Sequence, residues 1–136
     1  MTPTWWSCMP LSQEPAGADG LLRVSTSVVP MAALSGPRIR HSVAFALHHA
    51  EGSAEEETFL DALRALAVIP GVEAFEVVAE ISPKNAYRHG VSMEFADRET
   101  YDEYDAHPDH IAFVTERWTS EVAGFLEVDF AAAPRG

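Results

Sequence analysis

Basic residues and cysteine are both scarce in this sequence, and each shortage excludes a class of function. There are 9 Lys and Arg residues against 21 Asp and Glu residues, which gives a formal net charge of −12. Nucleic acids and anionic membranes are bound through clusters of basic residues, so we expect neither as a partner. Cys8 is the single cysteine, which excludes an internal disulfide framework and a cysteine-based zinc site.

Long apolar stretches are also absent from the sequence. No run approaches the roughly 18 residues of a membrane-spanning helix. The first residues lack the basic start and the continuous apolar stretch of a secretory signal. Together with the single cysteine, these features predict a cytoplasmic protein.

The length of 136 residues fits one domain with an extension. Residues 1–36 contain four prolines and three charged residues, so they predict a largely irregular N-terminal extension. Trp5 and Trp6 within it are typical of a segment that covers another surface. Regular hydrophobic patterns begin after this extension, and we therefore predict a domain over residues 37–131 and a C-terminal tail over residues 132–136.

Hydrophobic periodicity divides the predicted domain into strands and helices. Strict alternation of apolar and polar residues predicts strands, whereas apolar residues three and four apart predict helices. Ser53 followed by Glu56 is typical of a capping box, and Pro108 suits the first turn of a later helix. The predicted strands cover residues 39–47, 72–81, 87–95 and 125–130, and the predicted helices follow Ser53, Asp97 and His107, with Gly124 ending the last.

The order strand, helix, strand, strand, two helices, strand is that of the split βαβ, or ferredoxin-like, fold. It predicts an α+β domain with one four-stranded antiparallel sheet and helices on one face. The first and third strands are central neighbours in this topology, so we expect His41 and His89, both at inward positions, to lie close together. The opposite face of the sheet is left uncovered, which predicts a homodimer that pairs two sheets.

The segment from Tyr104 to His110 places one phenol and two imidazoles close together in the chain. Tyrosine and histidine can move a proton and hold a developing negative charge without a metal or cofactor. If Pro108 begins a helix, His110 lies in its first turn, where the helix dipole disfavours imidazolium and keeps the ring available as a base. We therefore predict His110 and Tyr104 as catalytic residues, with His107 in a supporting role.

Each of these residues also has a structural interpretation. A buried tyrosine commonly uses its hydroxyl in a structural hydrogen bond, and inward-facing histidines such as His41 and His89 are commonly satisfied core residues. Two close histidine pairs, at positions 48–49 and 107–110, have no carboxylate or cysteine at a diagnostic spacing, so no metal is predicted. The sequence has no phosphate-binding glycine loop and no nucleophile elbow, and no cofactor is predicted.

Several stretches of the sequence resemble the stress-responsive α/β barrel domain proteins, also called Dabb or dimeric A/B barrel proteins. The resemblance covers residues 38–130 and is most specific in the His-Pro-x-His piece that begins at His107. It implies a ferredoxin-like subunit and a homodimer whose sheets form a barrel. The matching stretches are residues 40–45, 69–72, 89–95, 104–110 and 128–130.

One branch of this family, similar to plant olivetolic acid cyclase, closes linear polyketides by aldol condensation. Its pocket uses the tyrosine that precedes the His-Pro-x-His piece, the last histidine of that piece, and one histidine on each of the first and third strands. The resemblance implies a small apolar or polyketide-like ligand and gives these roles to Tyr104, His110, His41 and His89. The apolar pocket wall is expected to consist of Phe59, Leu63 and Phe113.

Two other functions stay open from the sequence. The protein can be a non-catalytic, stress-associated dimer whose histidines are structural. By analogy with similar dimeric barrels, it can also be a cofactor-independent monooxygenase. Substitution of His110 separates the first alternative from a cyclase, since loss of a structural histidine affects the melting temperature without any effect on a ligand. Oxygen consumption with a quinol-type substrate separates the second.

Overall fold

The computed structural model describes residues 33–134. Nearly all of the predicted N-terminal extension, including Trp5 and Trp6, lies outside this range. The described part has four strands, β1 (Ile39–Leu47), β2 (Glu73–Ala79), β3 (His89–Phe95) and β4 (Val122–Ala131). Its helices are α1 (Ala54–Arg64), α2 (Arg98–Ala106) and α3 (Pro108–Phe113), with a 3-10 turn at Ala65–Val68, a π-helical segment at Val114–Trp118 and a final helical turn at Thr119–Glu121.

The four strands form one antiparallel sheet in the order β2-β3-β1-β4. Helices cover one face of it: Phe59 and Leu63 of α1 and Phe113 of α3 are buried in the same core as the inward side chains of β1 and β3. The predicted ferredoxin-like arrangement, with β1 and β3 as the central strands, is therefore confirmed. No helix among residues 33–134 is long and apolar enough to cross a membrane.

The alternation in β1 gives the sheet its two faces. Ile39, His41, Val43 and Phe45 are buried, whereas the residues between them are only partly buried. A register slip of one residue would turn these four side chains away from the core. Because buried apolar surface contributes about 25 cal/mol per Å², that slip is strongly disfavoured. The same register holds His41 among apolar side chains on the helix-covered face.

The start of α1 has the predicted cap, with one change of partner. Ser53 Oγ accepts a hydrogen bond from the Glu56 N–H at 3.1 Å, as in a capping box. The Glu56 carboxylate accepts at 2.8 Å from the N–H of Gly52 rather than from that of Ser53, which donates to the Ala50 carbonyl. The second carboxylate oxygen of Glu56 contacts His89 on β3.

A sharp corner joins α2 to α3. Asp97 caps α2 through its carboxylate, which accepts from the Thr100 N–H at 2.8 Å, and Pro108 occupies the first turn of α3, as predicted. His107 keeps an extended backbone between the helices, since the residue before a proline disfavours helical angles. Its Nδ1 accepts a hydrogen bond from the Asp109 N–H at 3.1 Å, so His107 is the N-cap of α3.

The chain after α3 differs from the predicted single helix that ends at Gly124. Val114–Trp118 forms a π-helical segment, a local widening often found at functional sites. Helical structure ends at Glu121, and Gly124 lies inside β4, opposite Ala46 of β1. The prediction of Gly124 as a helix end is wrong because pairing with β1 along the whole of β4 outweighs the local preference of glycine.

The sheet register separates two histidines that the sequence predicted to be neighbours. His41 lies opposite Met93, whereas His89 lies opposite Phe45. Both histidines are on the helix-covered face, as predicted, but they are about 14 Å apart along the ladder, since it rises roughly 3.4 Å per residue. Equivalent positions near the starts of two antiparallel strands fall at opposite ends of their ladder. The prediction that these histidines lie close together is therefore wrong.

Candidate functional site

A cavity of about 660 Å³ lies between the sheet and the α2–α3 corner, and we refer to it as the main cavity. Its size suits a small organic ligand, since ligand pockets typically measure roughly 300–1,000 Å³. Most of its wall is apolar or aromatic. Its ionisable side chains are His41, Tyr104, Asp105, His110 and Glu127.

His41 is held by a carboxylate and a phenol. Its Nδ1 lies 2.7 Å from Oδ1 of Asp129, the residue directly opposite on β4. The Tyr101 hydroxyl, which comes from α2, lies 3.0 Å from both carboxylate oxygens of Asp129 and 2.9 Å from His41 Nδ1. An ionised carboxylate only accepts hydrogen bonds. Both the His41 Nδ1–H and the Tyr101 hydroxyl therefore donate to Asp129.

This network sets the tautomer of His41. With the proton on Nδ1, the Nε2 atom keeps its lone pair and can accept a proton or a hydrogen bond. The ring is buried, lines the main cavity and packs against Tyr101 with 5.2 Å between ring centroids. His41 is thus oriented by a carboxylate in the way that a carboxylate–histidine pair is used in acid–base catalysis.

Tyr104 is buried beside His41 and lines the main cavity. Its ring centroid lies 5.1 Å from that of Phe95 and 6.4 Å from that of His41. Burial raises the pKa of Tyr104 well above its ordinary value, and the negative charges of Asp105 and Glu127 raise it further. The hydroxyl has no hydrogen-bond partner within residues 33–134, so a protonated phenol is available to donate to a ligand.

His110 lies in the first turn of α3 and also lines the main cavity. Its Nδ1 is 3.1 Å from the backbone oxygen of Asp105. A carbonyl oxygen can only accept, so Nδ1 carries the proton and Nε2 keeps its lone pair. The ring lies against Tyr104 with 4.5 Å between centroids, which makes this imidazole and this phenol direct neighbours.

Some of the predicted site residues lie away from the main cavity. His107 uses its ring to cap α3. Phe59 is fully buried in the core, where its ring packs against those of Phe45, Phe113 and Trp118. Contrary to the prediction, neither His107 nor Phe59 lines the main cavity. The predicted residues that do line the main cavity are His41, Leu63, Tyr104, His110 and Phe113.

His89 lines a second cavity, of about 240 Å³, at the other end of the β1–β3 ladder. Its Nε2 lies 3.0 Å from Glu56 Oε2 and its ring stacks on Phe45 at 5.3 Å. His49 lines the same cavity and pairs through Nε2 with Glu121 at 2.7 Å. The expectation that His89 shares a pocket with Tyr104 and His110 is therefore wrong.

Sequence reasoning missed three residues around His41. Tyr101 lies three residues before Tyr104, a spacing that puts both phenols on one face of a helix. Glu127 and Asp129 are two residues apart on the last strand, so their side chains lie on the same face. The ferredoxin-like order places this strand beside the first strand. Two acidic residues on one face of a strand that neighbours a buried histidine were a usable signal.

Two of these residues, Glu127 and Asp129, are candidate metal ligands together with His41. Among residues 33–134, His41, Glu127 and Asp129 offer ligand atoms that lie within 4.8 Å of one another. The Tyr101 hydroxyl lies 2.9 to 3.5 Å from atoms of all three. Because the His41 Nδ1–H and the Tyr101 hydroxyl both donate to Asp129, hydrogen bonds hold the imidazole and this carboxylate together.

Comparison with known proteins shows the family. The model of the stress-responsive A/B barrel domain, Dabb, matches residues 39–132. A Dabb family protein with a ferredoxin-like fold from Mesorhizobium loti is 51% identical, over 74% of this chain and 100% of that chain, with a TM-score of 0.69. A dimeric ferredoxin-like protein of unknown function from Thermobifida fusca is 25% identical, over 73% of this chain and 94% of that chain, with a TM-score of 0.60.

One structural relative is described as an enzyme. A hydroxynitrile lyase from Passiflora edulis is 11% identical, over 74% of this chain and 97% of that chain, with a TM-score of 0.63. At this identity the likeness shows the fold alone. No curated protein sequence matches the chain.

Proposed function

The chain belongs to the stress-responsive A/B barrel domain family, and we propose that it is a small-ligand-binding protein and a cofactor-free acid–base enzyme. The proposed substrate is a polyketide-like carbonyl compound that binds in the main cavity. The reaction begins with removal of a proton from the carbon next to a carbonyl. The resulting carbanion attacks a second carbonyl of the same molecule, which closes a ring by an aldol step.

One observation carries this proposal: a phenol lies near two imidazoles on the wall of one cavity. The ring centroid of Tyr104 is 4.5 Å from that of His110 and 6.4 Å from that of His41. Proton transfer between carbon and oxygen needs an acceptor and a donor within reach of the same substrate. The apolar wall around these groups strengthens the hydrogen bonds they make to a ligand.

We assign the base to His110 and the hydrogen-bond donor to Tyr104. Nε2 of His110 takes the proton from carbon, while the Tyr104 hydroxyl donates to the carbonyl oxygen that becomes negative. A raised pKa suits Tyr104 for this role, since the phenol has to stay protonated. After ring closure the new alkoxide takes a proton from Tyr104, and the adjacent imidazolium of His110 restores it. His41 accepts a hydrogen bond from an enol or hydroxyl group and orients the substrate.

The resemblance to the polyketide-cyclase branch supports this assignment at three of its four pocket positions. Tyr104, His110 and His41 stand where that branch has its pocket residues, and all three line the main cavity. The fourth position, His89, lines the second cavity, so we give it no role in catalysis. The hydroxynitrile lyase neighbour adds the observation that this fold accommodates an enzyme.

The first chemical step can be tested without the natural substrate. The full-length protein is incubated in D2O with a panel of β-diketones and aryl alkyl ketones, and NMR follows exchange of the protons next to the carbonyl. We expect exchange above the buffer rate for members of this panel. His110→Gln should lower the enzymatic rate about a hundredfold, the usual contribution of a positioned base, and Tyr104→Phe should lower it as well.

His107→Asn is the matched control for His110→Gln. The two histidines are three residues apart, but His107 does not line the main cavity, and asparagine is a good N-cap residue. The control should exchange at the wild-type rate. An exchange rate that survives His110→Gln, or that falls equally in His107→Asn, would contradict the assignment of the base.

A non-catalytic dimer with structural histidines is the second candidate function. It is favoured by the carboxylate partners of two inward histidines, Asp129 for His41 and Glu56 for His89, which is how buried structural histidines are satisfied. In that case His110→Gln changes the melting temperature, and neither exchange nor ligand binding responds to it.

We further propose that the protein works as a homodimer in the cytoplasm. Within residues 33–134, the sheet face opposite the helices carries exposed apolar side chains, namely Leu126 and Phe130 on β4 and Val78 on β2. Relatives described as dimeric support the packing of two such faces together. A single cysteine is compatible with a reducing cytoplasm.

A further inference from the structure

We propose that the main cavity selects its ligand by charge, so that it favours a protonated amine on an apolar body and rejects a carboxylate, and that Asp105 and Glu127 set this preference. The inference rests on the proposed function, in which the same cavity binds the substrate. It specifies the chemical class of the ligand, namely an amine rather than a carboxylate.

The wall of the main cavity has two carboxylates and, among residues 33–134, no lysine or arginine. Asp105 and Glu127 line it, and none of the other lining residues is Lys or Arg. Arg98, on the same helix as Asp105, lies over the ring of Tyr101 at 5.3 Å and is not part of the wall. A carboxylate that enters would therefore meet two negative charges and no arginine or lysine to pair with.

Both carboxylates act on the polar end of the main cavity. Each contributes to the raised pKa of Tyr104, so each lies within electrostatic reach of that phenol. In the described part of the chain, Oε2 of Glu127 lies 3.6 Å from Nδ1 of His41, and Asp105 makes no ion pair. Both side chains are solvent-exposed, which limits the expected selectivity to roughly tenfold.

The remainder of the wall suits the apolar part of such a ligand. Phe113, Trp118 and Phe125 line it, and aromatic faces attract ammonium groups as well as apolar carbon. An ammonium group near Asp105 and Glu127, with an aryl or alkyl body against these rings, satisfies both parts of the cavity. For the proposed reaction this indicates an amine-bearing ketone rather than a keto acid.

Three ligands with one skeleton and different charges test the inference. Binding of phenylbutylamine, phenylbutanone and phenylbutanoate to the full-length protein is measured by isothermal titration calorimetry at low salt. We expect the amine to bind most tightly, the ketone next and the carboxylate most weakly, with a ratio of roughly ten between the two extremes. That ratio should shrink in about 1 M NaCl, where exposed charges are screened.

Charge-neutralising variants locate the effect. Asp105→Asn and Glu127→Gln should each lower the ratio of amine to carboxylate affinity about threefold. Asp102→Asn is the matched control, because this exposed acid is on the same helix and removes the same charge but does not line the cavity. It should keep the wild-type ratio, and an equal effect in all three variants would overturn the inference by pointing to the overall net charge.

The outcomes also separate this inference from the proposed function. Binding of phenylbutanoate as tightly as phenylbutylamine would overturn the charge preference alone. The expected ranking without any exchange of ketone protons would support the charge preference while removing the acid–base reaction. Failure of all three ligands to bind would overturn both the inference and the binding role of the main cavity.

Discussion

Asp129 lies directly opposite His41 on neighbouring strands, with its Oδ1 2.7 Å from the imidazole Nδ1. Strand alternation puts His41 on the helix-covered face, and the pairing of β4 with β1 brings the acid to the same face. Tyr101 closes the network from α2. The result is a buried histidine at the main cavity whose proton is held on Nδ1 and whose lone pair is on Nε2.

Asp129→Asn should lower activity by changing the tautomer of His41. The side-chain amide is nearly the same size, but its NH2 can donate to Nδ1 and shift the ring proton to Nε2. We expect exchange of ketone protons to slow about tenfold, with the fold retained by circular dichroism. Nitrogen NMR of the imidazole checks the cause, and a variant that keeps both the Nδ1–H tautomer and the wild-type rate would refute it.

The fold could be predicted because its signals are local and mutually consistent. The alternation from Ile39 to Leu47, the Ser53 cap and the proline at position 108 each act over a few residues, and the element order leaves few topologies. Element ends were less well predicted. The strand expected over residues 72–81 covers only Glu73–Ala79, since β2 is an edge strand whose extent depends on its pairing with β3.

The site was predicted less completely because it depends on register between distant segments. Alternation alone predicts that His41 and His89 share one face of the sheet. The pairing register of β1 with β3 then places them at opposite ends of that strand pair. Asp129 is 88 residues from His41 in the chain and becomes its neighbour only through the pairing of β4 with β1. No pattern within either segment indicates that His41 and Asp129 are close in space.

His89→Gln should leave proton exchange unchanged, whereas His41→Gln should slow it. The two histidines line different cavities, and the contact of His89 is with Glu56 at the start of α1. Loss of that contact should lower the free energy of unfolding by about 1 kcal/mol. Thermal unfolding and exchange are measured on both variants, and an equal loss of exchange in the two would contradict the separation of the cavities.

The two buried phenols should resist ionisation in the folded protein. Burial raises the pKa of Tyr101 and Tyr104 above the ordinary value near 10, and Asp129 adds to the effect at Tyr101. Since the folded state keeps these protons to a higher pH than the unfolded state, stability is full below about pH 10 and falls as the pH rises further. Phenolate absorbance near pH 11 should be lower in the native protein than in guanidinium, and native protein with every tyrosine ionised would contradict this.

Glu94 should make the stability of the sheet sensitive to acid. Hydrogen bonds from Arg38 at 2.9 Å and from Arg40 at 3.0 Å lower its pKa. Because the pKa is lower in the folded state, the contribution to stability is full above the ordinary value of 4.5 and is lost as the pH falls through the folded pKa.

Glu94→Gln should therefore lower the free energy of unfolding by about 1 kcal/mol at neutral pH. The difference from the wild type should be smaller at a pH well below 4.5, because the Glu94 carboxylate then takes up a proton and loses its charge. Glu73→Gln is the control, and its effect should be smaller, since Glu73 is half exposed and pairs with Arg38, whereas Glu94 pairs with both arginines. Denaturant titrations at both pH values check this, and a loss from Glu94→Gln that persists in acid would contradict it.

Leu126→Glu should convert the proposed dimer to a monomer. Leu126 and Phe130 face outward on β4 and are 55% and 50% exposed in the single chain, so a partner's sheet would bury them. A charge introduced there would be buried without a partner at a cost of several kcal/mol. Val68→Glu is the control, because Val68 is 80% exposed in the turn after α1 and should leave the mass unchanged.

Analytical ultracentrifugation over a range of concentrations, with circular dichroism to verify the fold, separates the possible results. A wild-type mass of one chain at every concentration would contradict the dimer itself. A dimer that survives Leu126→Glu, or that Val68→Glu disrupts equally, would place the contact away from the outward sheet face. Loss of the dimer in Leu126→Glu with ligand binding retained would show that the main cavity binds its ligand within one subunit.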